Sequence, residues 1–357
     1  MCGVGNENTD MRERVKYTMT YQEVLKQART AIGAYCKACP VCDGRACGNQ
    51  MPGPGAKGIG DTAVRNYKKW QDIRVNMDTI CDGGEPDTTC ELFGKTFSYP
   101  FFAGPAGAVN LHYSEKYNDI SYNQVLVSAC AHAGIAAFTG DGVNPLVMEA
   151  ATAAIGENGG IGVPTVKPWN LDVVKEKMAL VTSSGAFAAA MDIDAAGLPF
   201  LKNMTPPAGS KNVEELKEIV KIAGTPFIVK GVMTVGGALK AKEAGAAAIV
   251  VSNHGGRVLD GCPATAEVLE EIADAVGDSM KILVDGGIRS GGDVFKALAL
   301  GADGVLICRP FVVSVYGGGE EGVKAYIEKI GSELKDTMQM CGARSLAEIT
   351  RDMVRYC

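Results

Sequence analysis

Ala246-Ala247-Ala248-Ile249-Val250-Val251 runs directly into Ser252-Asn253-His254-Gly255-Gly256-Arg257, and Asp260 follows shortly after. A short, continuously apolar run of this kind suits a strand buried on both faces of a parallel sheet. The polar residues then occupy the turn leaving its C-terminal end, which is where α/β architectures bind ligands. An imidazole can move a proton and a guanidinium can hold an anion. A lone histidine at a strand end is ordinarily hydrogen-bonded scaffolding. Here the chain has only three histidines, and His254 sits in a polar cluster beside the glycines that close backbone approach to a ligand requires.

The pattern repeats downstream. Lys281-Ile282-Leu283-Val284 leads into Asp285-Gly286-Gly287-Ile288-Arg289, with helical character from Val294 to Leu300, and Gly304-Val305-Leu306-Ile307 leads into Cys308-Arg309-Pro310. Glycines, a helix start and two arginines at neighbouring strand ends suit a phosphate, because backbone N–H groups, the helix dipole and the guanidinium forks all favour an anion. Counting backwards, further strand candidates are Phe101-Phe102-Ala103-Gly104, Ala136-Ala137-Phe138-Thr139, Ile161-Gly162-Val163, Phe187 to Met191 and Pro226-Phe227-Ile228-Val229. With the three already quoted they make eight. Helical patterns lie between them at Asn123–Ala133, Leu171–Val181, Val213–Ala223, Ala238–Ala244 and Ala266–Val276, several ending in glycine. This alternation predicts an α/β protein, a (β/α)8 TIM barrel over residues 96–357 preceded by an N-terminal extension over 1–95; a doubly wound open sheet is the structural alternative.

Four ordered motifs make the chain resemble the FMN-dependent α-hydroxy-acid oxidase and dehydrogenase family, the glycolate oxidase and lactate oxidase group. They are Ile228-Val229-Lys230-Gly231-Val232, Ser252 to Arg257, Asp285 to Arg289, and Phe295-Lys296-Ala297-Leu298-Ala299-Leu300-Gly301-Ala302. The likeness is strong from Pro226 to Met353 and weaker from Arg65 to Thr225. The resemblance implies FMN as cofactor, with His254 as the base that takes a proton from a hydroxy acid and Asp192 as the carboxylate that orients the imidazole. It implies that Arg257 holds the substrate carboxylate and that Lys230 offers a cation to the flavin ring. Ser252 and Asp285 match ribityl contacts, Gly287, Arg289 and Arg309 the phosphate site, and Pro105 and Ala106 the flavin edge.

The chain also departs from that pattern. After Asp192 it reads Ile193-Asp194-Ala195-Ala196-Gly197-Leu198-Pro199-Phe200, with no arginine before Lys202 where the family carries a second carboxylate clamp. Val163-Pro164-Thr165 stands in place of the family's Gln-x-Tyr, and Cys308 in place of the glycine before the phosphate arginine. Lys167 is either a replacement cation or an exposed loop lysine. Near the N-terminus, Cys36, Cys39, Cys42 and Cys47 follow C-x2-C-x2-C-x4-C, close to a ferredoxin run but with a longer last interval and with Pro40 after Cys39. They read either as a metal site, an iron–sulfur cluster that would give electrons an exit independent of oxygen or a zinc ion, or as reduced thiols in a loop over the barrel mouth. Gly53-Pro54-Gly55-Ala56-Lys57-Gly58 satisfies G-x-G-x-x-G with no strand before it, and Gly94-Lys95-Thr96 lacks the earlier P-loop glycine, so neither supports nucleotide binding. Cys130 and His132, two apart on a helical pattern, make a poor nucleophile–base pair.

With 357 residues, 46% of them hydrophobic, the chain can bury a large core, and no apolar run approaches the ~20 residues of a membrane helix. A net charge of −6 leaves no basic footprint for nucleic acid. Twelve cysteines without a signal peptide fit a reducing cytoplasm. The expected protein is therefore a cytoplasmic homo-oligomer that oxidises a small-molecule carboxylate, a 2-hydroxy acid or related compound, to the 2-oxo product. It has no membrane or nucleic-acid partner. The alternatives are an FMN-dependent reductase or isomerase on the same barrel, or a non-catalytic flavin or metal sensor. The substrate side chain, the electron acceptor and the oligomer size are not written in the motifs.

Overall fold

The computed structural model describes residues 19–48, 57–198, 201, 203 and 208–357. Most of the 53–58 glycine motif, Pro199, Phe200 and Lys202 lie outside the described residues. Three short strands precede the barrel: β1 (Ile73–Val75), β2 (Cys90–Leu92) and β3 (Lys95–Phe97), the last two forming a hairpin around Phe93-Gly94, both with positive φ. The barrel strands are β4 (Phe101–Ala103), β5 (Phe138–Thr139), β6 (Val163–Val166), β7 (Ala189–Asp192), β8 (Phe227–Val232), β9 (Ala248–Val251), β10 (Lys281–Val284) and β11 (Gly304–Ile307). They pair in parallel in the order β4-β11-β10-β9-β8-β7-β6-β5. A parallel bridge between Ala103 and Ala137, with Ala103 N–H donating to the Ala136 carbonyl at 3.1 Å, joins the two ends of that order and closes the ring. The eight-stranded reading therefore stands, and the open sheet does not.

β9 and β11 are buried at every position, as continuous apolar runs in a parallel sheet must be, and β10 is buried at all but its first residue. Helices cover the outside. Tyr21–Ala31 starts on a Thr20/Glu23 capping box and packs on the long helix Arg309–Met340. The sequence pattern alone extends this helix from Tyr21 to Ala34, but it ends earlier because Gly33 takes φ 78° where a Cβ would meet the Tyr113 carbonyl at 2.1 Å. Strand β6 begins two residues later than expected, because Gly160 to Gly162 form a turn and Pro164 stands inside the strand. Four helices had no counterpart in the sequence reading: Asp61–Gln71, the short Val109–His112, Pro145–Glu157 and Arg309–Met340.

The segment before the barrel does not stand apart. β1 pairs antiparallel with β12 (Val354–Tyr356), and helix Asp61–Gln71 lies against the turn after β9. The Lys57 N–H donates to the Gly256 carbonyl at 2.9 Å, and the Lys57 ammonium spans the carbonyls of Gly197 and Val258, each at 2.6 Å. Asp260 accepts from the N–H groups of Ile59, Gly60 and Thr62 at 2.9 to 3.1 Å. That carboxylate supplies the cap that Gly60, at the N-cap position, has no side chain to give.

Candidate active site

Register brings the chemistry together. Asp192, the last residue of β7, is the pairing partner of Lys230 in β8, and Ser252 and Asp285 follow directly on β9 and β10. The Lys230 ammonium donates to Ser252 Oγ at 3.1 Å and lies 3.5 Å from Asp285. Burial by itself would lower the lysine pKa, but Asp285, Asp194 and Asp192 outweigh it and raise the value, so Lys230 stays a cation.

His254 sits at φ 55°, left-handed for a non-glycine residue, followed by Gly255 and Gly256 at 64° and 79°. Such a conformation costs about 1–3 kcal/mol and persists only where its surroundings hold it. Ser252 Oγ accepts from the His254 N–H at 3.1 Å, and Asn253 accepts from Gly255 N–H with its side chain and from Gly256 N–H with its carbonyl. Asn253 is itself clasped by Asn66 of helix Asp61–Gln71 through reciprocal amide bonds of 2.7 and 2.9 Å.

The carboxylate bonded to the imidazole is Asp194, not Asp192: His254 Nδ1 lies 3.0 Å from Asp194 Oδ1. Asp192 is close by but pairs with Lys167. The resemblance had carried the orienting role to the strand's last residue, whereas the chain turns into a short 3-10 helix at Ile193 and brings the next acid in D-x-D round to the histidine. The two acids are tuned in opposite directions. Burial pushes the Asp192 pKa up despite Lys167, while for Asp194 the neighbouring His254 and Lys230 and the hydrogen bond overcome burial and hold it below the ordinary value. Glycine at 231 is required, since at φ 101° a Cβ there would come within 2.5 Å of Asp194 Cγ. Lys167 is accordingly neither an exposed loop residue nor an uncommitted cation. Ligand atoms of Asp192, Asp194 and His254 lie within 4.8 Å of one another, but Lys167 and Lys230 already balance the carboxylates, which suits proton transfer better than a metal ion.

His254, Lys230, Arg257, Asp285, Pro105 and Ala106 all line one cavity of about 280 Å³, as do Gly287, Arg289 and Arg309 at its far end. Ser252 does not line it; its hydroxyl is committed to Lys230 and His254. Arg309 Nη1 and Asp285 Oδ1 are buried without a hydrogen-bond partner among the described residues, one donor and one acceptor on side chains that line the same cavity. Such orphaned groups are what a phosphate and a polyol chain would satisfy. Arg289 is more constrained: its Nε donates to the Cys42 carbonyl at 2.8 Å and Nη1 to the Ile288 carbonyl at 2.6 Å. Gly287 is demanded from both sides, because a Cβ there would meet the Asn66 carbonyl at 2.3 Å. Cys308 fits where Gly104 leaves room for it, and its thiol donates to the Pro105 carbonyl at 3.3 Å.

Three features escaped the sequence reading. Asp141, after β5, gathers Lys167 N–H, Trp169 Nε1 and the Lys177 ammonium at 2.7 to 3.0 Å and so fixes the loop carrying Lys167. His112 lines the cavity with its pKa lowered to about 4 by burial and by Arg257, so it is neutral at pH 7. Asp194 was legible only as the second acid of a D-x-D pair.

A closed parallel barrel with a histidine–carboxylate pair, a buried lysine cation and arginines at the ends of its last two strands defines a flavin-type barrel oxidoreductase. The sequence profile of the FMN-dependent dehydrogenases matches residues 54–199 and 195–356, and the chain belongs to that FMN-using family. It is 48% identical over 145 residues to a peroxisomal (S)-2-hydroxyacid oxidase of Arabidopsis thaliana, a stretch covering 41% of this chain and 39% of that protein. It is also 48% identical over 140 residues to glycolate oxidase 3 of Oryza sativa subsp. indica, over 39% of this chain and 38% of the other. These matches span about two fifths of the relatives' length. Among solved structures, a lactate oxidase of Pediococcus acidilactici superposes with a TM-score of 0.76 at 26% identity, over 96% of this chain and 95% of that one. A mandelate oxidase variant does so with 0.76 at 25% identity, over 95% and 98%.

Proposed function

We propose that this protein oxidises a 2-hydroxy acid to the 2-oxo acid, with His254 as base. The observation that carries the reading is the 3.0 Å bond between Asp194 and His254 Nδ1 on a side chain lining the cavity shared with Lys230 and Arg257. With Nδ1 so held, Nε2 is the nitrogen that takes the proton from the substrate, and Asp194 stabilises the imidazolium that results. Arg257 binds the substrate carboxylate. Lys230 offers its charge to the ring of the flavin, Asp285 accepts from the ribityl hydroxyls, and Arg309 and Arg289 hold the phosphate. FMN, when bound, supplies the two-electron acceptor.

The missing second arginine and the engagement of Lys167 with Asp192 leave Arg257 as the principal carboxylate clamp, and Val143, Val147 and Leu198 present apolar surface to the same cavity. The reading is therefore an acid with an apolar side chain in preference to glycolate or lactate. Anaerobic mixing of the flavin-loaded protein with glycolate, lactate, mandelate and straight-chain 2-hydroxy acids tests it. Bleaching by the larger acids supports the proposal. No bleaching by any of them, with reoxidation of chemically reduced flavin by a 2-oxo or unsaturated acid instead, would turn the reading toward a reductase.

The same reading places the protein in a reducing cytoplasm as a homo-oligomer. Eleven described cysteines are free thiols, and Ile59 and Leu259 are 92% and 61% exposed on segments tied together by Asp260, an apolar surface suited to self-contact. Sedimentation of the wild type against Ile59→Lys with Leu259→Lys measures it; a wild type that sediments as a monomer removes the oligomer.

A further inference from the structure

Cys36, Cys39, Cys42 and Cys47 line a second cavity of about 380 Å³ at the C-terminal mouth of the barrel, and all four are free thiols. The segment carrying them is irregular, with Ala38, Gly44 and Gly48 at φ 42°, 84° and 61°, and it brings all four cysteines to the lining of one space. Its floor is the barrel's own anion-binding end, where Arg289 and Arg309 line this cavity as well as the catalytic one.

Two features select the occupant. A tetrahedral zinc at about 2.3 Å from each sulfur draws its four thiolates to roughly 3.8 Å from one another. Among the described residues no three of these cysteines bring their sulfurs within 4.8 Å of one another. They share one cavity without closing on a point, which leaves room for a polynuclear core. The second feature is charge. A four-thiolate iron–sulfur cluster is anionic and is stabilised by N–H groups directed at sulfur. The Ala38 N–H lies 3.5 Å from Cys36 Sγ, and Arg289 Nη2 lies 4.0 Å from Cys42 Sγ. Arg309 and Lys37 complete the positive lining, while the acids present, Asp293 and Glu333, are already paired with Lys296 and Lys329.

We infer that this cavity is a site for a [4Fe–4S] cluster held by Cys36, Cys39, Cys42 and Cys47, each thiol giving up its proton as its sulfur bonds iron. The inference is independent of the proposed hydroxy-acid chemistry, since iron, sulfide and flavin are counted separately. The full chain, purified anaerobically and reconstituted with equal amounts of ferrous and ferric iron and with sulfide, should hold about four irons and four sulfides per chain. It should show a broad absorption near 400 nm that dithionite bleaches, and a paramagnetic signal in the reduced state. Cys39→Ser and Cys42→Ser should lose most of the iron, while Cys262→Ser, in the loop after β9, and Cys90→Ser, in β2, retain it. Far-ultraviolet circular dichroism and flavin content report whether each variant has folded. One zinc per chain, no iron in a folded reconstituted wild type, or equal iron in the Cys39 and Cys262 variants would overturn the inference.

Discussion

At the scale of single residues, the site is decided by which of two acids faces the histidine. His254→Ala should cut the rate of flavin reduction by substrate by about 10²–10⁴-fold while leaving flavin bound, since His254 lines the cavity without anchoring its phosphate end. Asp194→Asn should cost more of that rate than Asp192→Asn, because only Asp194 is bonded to the imidazole. Rapid-mixing absorbance on the three variants decides the order, and a larger loss from Asp192→Asn would return the orienting role to the strand end. Gly231→Ala is the packing counterpart. Its Cβ would come 2.5 Å from Asp194 Cγ at a φ of 101°, so the variant should lose about 1–3 kcal/mol in urea unfolding together with most of its activity. The sequence showed Asp192 and Asp194 equally. What it could not show is that the chain leaves strand geometry between them, so that reading the family pattern to the strand's end stopped one acid too soon.

The elements were legible in proportion to how purely burial determines them. Gly304–Ile307 coincides with its apolar run because a strand covered on both faces has no polar position to blur its ends, and Lys281–Val284 is polar only at its exposed first residue. Arg309–Met340 was illegible because Gly317-Gly318-Gly319 reads as a break; the helix crosses it with a kink at Gly319, φ 57°, held by packing on Tyr21–Ala31. Helix Asp61–Gln71 was illegible because its cap comes from Asp260, some two hundred residues away. That cap ties the helix to the catalytic turn, since the same helix carries Asn66, which clasps Asn253. Asp260→Ala should therefore lower stability by about 0.5–2 kcal/mol and loosen His254 as well. Backbone N–H bonds from Thr62 and its neighbours overcome burial to hold the Asp260 pKa below its ordinary value. A depressed carboxylate contributes stability that is present above the unfolded-state value of about 3.9 and is lost as pH falls through the folded value. The difference in urea midpoint between wild type and Asp260→Ala should accordingly be constant from pH 6 to 8 and shrink below about pH 4. A difference that persists undiminished at pH 3 would show that the side chain acts by packing and not by charge.

For the whole molecule, the question is how the pre-barrel segment and the barrel define one ligand between them. Lys230 lies within β8 while Asp285 and Arg309 follow β10 and β11, and the cavity runs from His254 to the two arginines. Past Arg289, whose guanidinium is bonded to the Cys42 carbonyl, the lining passes to the cysteine-bearing segment. A ligand with one terminal phosphate fits this geometry. A dinucleotide, whose chain continues past the phosphate, would have to displace the Cys42 segment. Denaturation should therefore release FMN and no FAD, identified by chromatography against both standards. Arg309 Nη1 is the buried donor that lacks a partner among the described residues, so Arg309→Ala removes a charge-assisted bond worth about 1.5–3 kcal/mol and should weaken FMN binding by roughly 10- to 150-fold in fluorescence titration. The same loss should appear in thermal unfolding. Wild type at a hundred times its Kd gains about 2.7 kcal/mol from the flavin, and at that same FMN concentration the variant should gain only about 0.3–1.4 kcal/mol. Equal FMN affinity in Arg309→Ala and wild type would mean that the orphaned guanidinium does not face the phosphate, and the cofactor's orientation along the cavity would have to be reversed.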